Sequence, residues 1–341
     1  MNFPIDVLES GAVVLGTEIV CDGFLSDRRV RIQSHIHDDH MGGFDTSKGF
    51  QDLYMSEETH NLLLVEFNAD LLVRDNLHPL PYNRSTRAES SYFRLLPSGH
   101  MPGAVQIEVQ LNSGMRVGYS GDFQWPLDEP MEVDALVVDS TYGSPQSIRE
   151  YTQAEAETRF LELVFAKLKE GSIHIKAHRG TIQRAVQLLG GEIDATVICS
   201  SRLASEISVY QRFGSSVGSV VLIGSDLASS AVADHRYVRL YCKGDKSPDQ
   251  LPEGTMITLS AYMARRDDPV LEYSDRAYRV ALSNHADFLG TLDYVRATGA
   301  KYVVADNTRG HGVELAQAIR ERLNIDARPS TNSSSHEWGA G

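Results

Sequence analysis

Three histidines and two aspartates fall within the six residues His35-Ile36-His37-Asp38-Asp39-His40, reached through Ser34 from the alternating stretch Val30–Gln33. His35, His37, Asp39 and His40 form the pattern H-x-H-x-D-H. Imidazole and carboxylate are the ligands of a zinc-type divalent ion, and a loop leaving a strand can turn alternate side chains into one pocket. The competing reading is a solvated polar turn. Three His and one acidic residue at fixed offsets arise by accident about two times in a thousand, so the crowding favours ligands. Two Gly-flanked donors follow downstream: His100 in Ser98-Gly99-His100-Met101-Pro102-Gly103, and Asp122 in Ser120-Gly121-Asp122-Phe123. Each alone reads as a turn residue.

These donors need elements to hold them. The first third of the chain reads as strands: Ala12–Val20, Val30–Gln33, Tyr92–Leu96, Ala104–Leu111 and Met115–Tyr119 are apolar or alternating and bounded by Gly, Asp or Asn. Asn112-Ser113-Gly114 reads as a hairpin turn, Ala135–Val138 as a short buried strand, and Glu57–Phe67 as a helix. The pattern changes near Pro145. Phe160, Leu161, Val164, Phe165 and Leu168 recur at helical spacing, with Gly171 as a stop. Strand and helix then alternate over Ser172–Ala177, Thr181–Leu189, Thr196–Cys199, Leu203–Phe213 and Val220–Ile223. This βαβ pattern predicts a mostly parallel sheet with crossover helices. Met256–Leu259, Tyr278–Leu282 and Tyr302–Ala305 read as further strands, and Phe288–Ala297 and Val313–Leu323 as helices.

The 341 residues are 42% hydrophobic and 23% charged, enough for a packed core and too apolar for global disorder. No run of eighteen apolar residues occurs, so no membrane span is expected. The N-terminus lacks the basic and apolar regions of a signal peptide. Three scattered cysteines argue for a reducing cytoplasm. The net charge of −14 repels nucleic acid on average, so such a partner would need a local basic cleft.

H-x-H-x-D-H followed by His100 and then Asp122 resembles the signature of the metallo-β-lactamase superfamily. The resemblance implies an α/β fold, an αββα sandwich with a dinuclear centre at the sheet edge. By analogy His35, His37 and His100 hold one metal, Asp39 and His40 the other, and Asp122 bridges. The cofactor implied is two Zn2+ ions, with Mn2+ as the alternative. Such a pair activates water at neutral pH and clamps both sides of a phosphoryl displacement.

Val137-Val138-Asp139-Ser140-Thr141-Tyr142-Gly143 is similar to the acidic motif of the β-CASP nucleases within that superfamily. In those enzymes an α/β domain is inserted after this motif. The implied organisation is a discontinuous metallo-β-lactamase domain over 1–145 and 275–330, a βαβ parallel-sheet (β-CASP) insertion over 146–274, and a flexible tail over 331–341. Ser283-Asn284-His285-Ala286-Asp287-Phe288 resembles the family's S-x-H-x-D-F motif. It implies a catalytic His285 paired with Asp139, and Asp39 completes the catalytic set. Asp287 reads as the cap of the following helix. His311-Gly312-x-Glu314 resembles the last metal motif a few residues late, so His311 reads either as a final ligand or as the turn before the last helix.

The substrate implied is single-stranded RNA or DNA, with no membrane partner and with a homo-oligomer left open. Candidate substrate contacts are Lys176, Arg179 and Arg184 in the insertion's strand–helix turn, Ser260, and Arg265 with Arg266; each cation reads equally as a solvated surface charge. Two rivals stand beside a nuclease: a small-molecule ester or thioester hydrolase, and a non-catalytic β-CASP subunit that binds RNA. The insertion argues against the first and the intact donors against the second.

Overall fold

The computed structural model describes residues 3–67, 71, 74–190, 192–242, 244–246, 253–260 and 265–331. The chain divides into two compact units, Met1–Ile148 with His285–Gly341, and Arg149–Asn284. Among the described residues the architecture is mixed α/β with three sheets.

The first unit contains two sheets. One runs in the order β1 (Ile5–Val7), β2 (Val13–Leu15), β3 (Ile19–Cys21), β4 (Val30–Ile32), β5 (Asp52–Ser56) and β6 (Leu77–Leu80). The stretch expected as one strand over Ala12–Val20 breaks into β2 and β3. Gly16 causes the break: its φ is 71°, and a Cβ there would lie 2.6 Å from the Leu111 side chain. β5 reaches the parallel β6 through α1 (Glu57–Phe67).

The other sheet has the order β20-β19-β11-β10-β9-β8-β7. Its strands are β7 (Thr86–Ala88), β8 (Ser91–Pro97), β9 (Val105–Gln110), β10 (Arg116–Tyr119), β11 (Ala135–Val138), β19 (Tyr302–Ala305) and β20 (Asp326–Pro329). β7 to β10 form an antiparallel meander, and β10, β11, β19 and β20 run parallel. The two sheets share one core, in which Ile5, Val13, Ile19 and Ile32 meet Phe93, Ile107, Val117 and Val137. Each such fully buried side chain contributes roughly 1.5–3 kcal/mol. The far side of the second sheet packs on α6 (Phe288–Ala297) and α7 (Gly312–Ala318) through Leu136, Val138, Phe288, Tyr294 and Leu315.

The second unit has one sheet, in the order β14-β13-β15-β12-β16-β18-β17. Its strands are β12 (Ile173–Lys176), β13 (Thr196–Cys199), β14 (Val221–Leu222), β15 (Tyr237–Tyr241), β16 (Thr255–Leu259), β17 (Val270–Ser274) and β18 (Ala277–Val280). All neighbours pair parallel except β17 with β18. Its helices are α2 (Gln153–Leu168), α3 (Thr181–Leu189), α4 (Ser201–Arg212) and α5 (Asp226–Ala233). α2 starts with a reciprocal capping box between Thr152 and Glu155.

The expected domain boundary at 275 is displaced. β18 pairs with β16 and with β17, so residues 275–284 belong to the second unit and the chain re-enters the first at His285. The expected flexible tail lies, from 332 onward, outside the described residues. Among the described residues Cys21, Cys199 and Cys242 form no disulfide. Among the described residues no helix is long and apolar enough to cross a membrane.

Candidate metal centre

Strand ends at one edge of the first unit deliver the donors. After β4 the Gln33 amide donates to Tyr54 O at 2.8 Å, and the chain then leaves the sheet. A single 3-10 turn over Asp38–His40 closes the loop. Gln33 staples it, since its Nε2 donates to the carbonyls of His35 at 2.7 Å and His40 at 2.9 Å. Asp122 follows β10 through Gly121, where φ is 55° and a Cβ would lie 2.6 Å from Val105 O; only glycine fits. His100 sits in the β8–β9 connection, which Ser56 Oγ and Thr59 Oγ1 hold by donating to Gly103 O at 2.7 and 2.9 Å. Asp139 is the first residue beyond β11, and its amide donates to Ser120 Oγ at 2.9 Å. His285 is set beside Asp122 because the Ala286 amide donates to Phe123 O at 2.8 Å. Asp287 caps α6, its Oδ1 accepting from Gly290 N at 2.8 Å.

Side chains from these segments converge. His37 Nδ1 lies 3.1 Å from both His35 Nε2 and His100 Nε2. Asp122 Oδ2 lies 3.5 Å from His35 Nε2 and 3.6 Å from His100 Nε2. One donor atom from each of these four residues falls within 4.8 Å of the others. His40 Nε2 is 3.2 Å from Asp122 Oδ1 and 3.5 Å from Asp39 Oδ2. A second group, Asp122, Asp139 and His285, shares Asp122. His285 points Nδ1 at Asp139 Oδ2 (3.3 Å) and Nε2 at Asp122 Oδ2 (3.8 Å). Asp139 Oδ1 is taken by the amide and hydroxyl of Thr141 at 2.8 and 2.7 Å, which fixes the carboxylate plane.

The donor set fits a divalent ion. Burial pushes the pKa values of His35, His37 and His100 down, with neighbouring imidazoles adding to the effect, so all three favour the neutral form that coordinates metal. Burial raises the Asp122 carboxyl, but His40, His35 and His285 outweigh it and hold the group ionised, well below its usual range. His40 Nε2 is buried without a hydrogen-bond partner. Its other nitrogen donates to Asp22 Oδ2 at 2.7 Å, which aims Nε2 at Asp122 and leaves it to coordinate. Burial opposes charge on His40, but Asp122 and Asp22 outweigh it and lift the pKa to about 10, so a cation held at Nε2 has to displace a proton there.

Other candidates lie elsewhere. His311 begins α7, is 52% exposed and faces Glu314 at 3.7 Å; among the described residues it joins neither donor group. Arg309 of the same loop reaches the centre's margin instead. Its Nη2 donates to Gly11 O at 2.9 Å and to Asp39 O at 3.0 Å, its Nη1 to Asp306 Oδ2 at 2.9 Å, and its Nε stands 3.8 Å from Asp39 Oδ2. In the second unit Arg179 is buried, donating from Nε and Nη2 to Glu206 Oε1 at 3.2 Å, so it is not offered to a substrate. Arg184 pairs with Glu157 at 2.8 Å and Arg266 with Glu150 at 2.8 Å. Lys176 and Arg265 are exposed, and Ser260 is half-buried at the end of β16. The rest of the Ser260 segment, 261–263, lies outside the described residues.

Sequence reasoning missed Asp22 and Arg309. Asp22 is fully buried at φ 53°, and it takes Ser34 N at 2.7 Å, Ser34 Oγ at 2.5 Å and Gln33 Nε2 at 3.1 Å besides His40. In the sequence it is only an Asp-Gly turn.

Known proteins set this geometry in context. A protein of Acidianus ambivalens, described as "Uncharacterized protein in lig 3'region", is 30% identical over 138 residues, which span 40% of this chain and 98% of that protein. The chain belongs to the same family as that protein. An "RNase J-like protein" of Methanocaldococcus jannaschii is 26% identical over 161 residues, 41% of this chain and 38% of that protein. "DNA ligase 6" of Arabidopsis thaliana is 26% identical over 154 residues, 41% of this chain and 10% of the ligase. The chain thus spans well under half the length of these two relatives. A solved structure from Enterococcus faecalis V583, described as a protein of unknown function, superposes with a TM-score of 0.60 at 13% identity, covering 90% of this chain and 80% of that one. That likeness is one of fold alone. No family model matches the chain.

Proposed function

We propose that this chain is a metal-dependent phosphodiesterase of the metallo-β-lactamase fold, organised as a β-CASP nuclease and acting on single-stranded RNA or DNA. One observation carries the reading: His285 meets Asp139, 146 positions away in sequence, at 3.3 Å and beside Asp122. Hydrolysis of a small ester needs the donor cluster alone. A His–Asp couple aimed at that cluster from a separate segment suits delivery of a proton to a poor leaving group. The names of two relatives, RNase J-like protein and DNA ligase 6, support nucleic acid as the substrate class. In this reading the first unit is the metallo-β-lactamase domain and the second is the insertion.

His35, His37, His100 and Asp122 would hold one divalent ion, and Asp39 and His40, beside Asp122, would hold a second. Zinc or manganese suits these nitrogen and oxygen donors. When bound, the ions supply Lewis acidity that activates water near neutral pH and offsets phosphate charge. His285 presents Nε2 to the centre while Asp139 accepts from Nδ1, which sets the tautomer. Burial opposes charge on His285, but Asp122 and Asp139 outweigh it and raise the pKa. That environment suits the ring to hand a proton to the departing oxygen, and Asp139 keeps it oriented. Asp22 and Gln33 keep His40 and the loop in place.

The test is incubation of metal-analysed protein with end-labelled single-stranded RNA and DNA, with and without a 5′ phosphate. The expected result is cleavage of at least one strand type, lost on chelation and restored by zinc or manganese. Metal-loaded protein that cleaves neither strand but turns over a thioester or ester would favour the small-molecule reading.

A further inference from the structure

The two faces of the second unit's sheet differ in how their cations are used. On one face α2, α3 and α4 bury Phe160, Ile182 and Leu203 against Ile175, Leu240 and Ile257. Arginines on that side meet acids: Arg184 pairs with Glu157 at 2.8 Å and Arg159 with Glu162 at 3.4 Å. Strand alternation sends the intervening residues to the opposite face, where α5 packs at the Ile198 end through Ala228 and Ala231.

That opposite face carries Lys176, Arg239 and Arg279. Register places them in two adjoining rows. Tyr241 pairs with Lys176, Lys176 with Thr258, and Thr258 with Arg279. Arg239 pairs with His174 in the next row. From Tyr241 to Arg279 the first row crosses three strand spacings, about 14 Å. Neither arginine is spent on a full set of internal acceptors: Arg239 Nη1 and Arg279 Nε are buried without a hydrogen-bond partner, and both residues are half-buried. Each guanidinium lies instead over a tyrosine ring, Arg239 over Tyr241 at 5.3 Å and Arg279 over Tyr273 at 5.7 Å. Tyr273 is 59% exposed.

We propose that this face binds a single strand of nucleic acid, with Lys176, Arg239 and Arg279 taking phosphates and Tyr273 stacking on a base. The proposal rests on the nuclease reading above and adds where the strand is held. Charge complementarity selects the occupant. A chain with 32 basic and 46 acidic residues repels a polyanion overall, so affinity has to come from a local cationic surface. Cations interleaved with aromatic rings on a sheet are the chemistry that holds single strands without reading sequence. Tyrosine support under each guanidinium holds it flat, and because both arginines are half-buried rather than buried, nitrogens other than the two enclosed ones are left to phosphate oxygens.

The experiment is fluorescence anisotropy of the metal-loaded protein with short phosphorothioate-linked oligo(dT) and oligo(rU) across a potassium chloride series. Each phosphate contact on a single strand contributes about 0.7 to the log–log salt slope. The double variant Arg239→Gln/Arg279→Gln should therefore lose about 1.4 from the slope and bind more weakly at low salt. Tyr273→Ala should weaken binding by roughly 5- to 100-fold with the slope kept. A charge-matched control, Arg159→Gln/Arg184→Gln on the helical face, should keep the wild-type slope. Circular dichroism checks that each variant is folded. A double variant with the wild-type slope, or a control that loses as much, overturns the proposal. If wild-type protein cleaves RNA or DNA and the double variant still binds normally, only this surface assignment falls. If wild-type protein neither binds nor cleaves either strand, the nuclease reading falls with it.

Discussion

Each unit carries a buried polar cluster at a strand end, and the two are built in opposite ways. In the second unit Glu206, 2% exposed, accepts from Arg179 Nε and Nη2 at 3.2 Å, from Gln183 Nε2 at 2.5 Å and from Arg202 Nε at 3.4 Å. Gln183 Oε1 in turn accepts the Gly180 amide at 2.7 Å. Donors and acceptors there close on one another. In the first unit ring nitrogen faces ring nitrogen at 3.1 Å, and His40 Nε2 has no hydrogen-bond partner. A closed cluster stabilises the turn it occupies, whereas an open one is costly until a ligand fills it. Polar residues at a strand end therefore mark a site only when their hydrogen bonds do not close internally. Arg179, read from sequence as a substrate contact, belongs to the closed kind.

The strongest way to break this contrast is Asp122→Asn. It removes the carboxylate facing His35, His40, His100 and His285. Bound metal should fall sharply by elemental analysis, and turnover should drop about 10³-fold or more, equivalent to several kcal/mol. Near-normal metal content would mean that the open cluster is not the site. The closed cluster should answer differently. Glu206→Ala strands the buried Arg179 and should destabilise the second unit by about 3–5 kcal/mol in denaturant titration, with metal content unchanged. No loss of stability would remove the distinction between the clusters.

A smaller effect sharpens the comparison inside the first unit. Asp6 is fully buried and closed, accepting from Arg328 Nη2 at 3.0 Å and Thr331 Oγ1 at 2.6 Å. Burial raises its pKa, but Arg328 and Thr331 outweigh it, and the net value lies below the ordinary 3.8. A depressed carboxyl pKa contributes stability that is complete above the unfolded value and is lost as pH falls through the folded one. Wild-type stability should thus decline below about pH 4, and Asp6→Asn should already lack about 1–3 kcal/mol at neutral pH and lose less on acidification. Equal acid sensitivity in both proteins would contradict this. The smallest effect is expected at His311. As a half-exposed residue outside both donor groups, its replacement by Ala should leave metal content at the wild-type level and change stability by no more than about 0.5 kcal/mol.

Local patterns were readable from sequence, and long-range closure was not. α1 occupies the expected Glu57–Phe67, and the Asn112-Ser113-Gly114 turn joins β9 to β10, because periodicity and turn chemistry are local signals. His35, His37, His100 and Asp122 could be picked out by residue type and spacing, and they converge because each follows a strand end on the same edge. Asp22 could not be picked out, since its partner His40 is 18 positions away and its own surroundings read as a turn. Arg309 stayed hidden because its role is a clamp on two carbonyls, Gly11 and Asp39, which leaves no trace in composition. α5 also escaped. Its sequence DLASSAVA has few large apolar residues, and its start depends on Ser225 capping Ala228 N. β18, beyond the expected boundary at 275, joins the other unit because a short strand's pattern does not say which sheet it pairs with.

The central claim is that His285 delivers a proton to a leaving group at a metal centre it does not help to build. The direct measurement is single-turnover cleavage of end-labelled single-stranded RNA and DNA by wild type and His285→Ala, with metal content determined on the same samples. The account predicts a fall in rate of about 10²–10⁴ with metal content near wild type. A variant that has lost a metal ion, or one that cleaves at the wild-type rate, would contradict it.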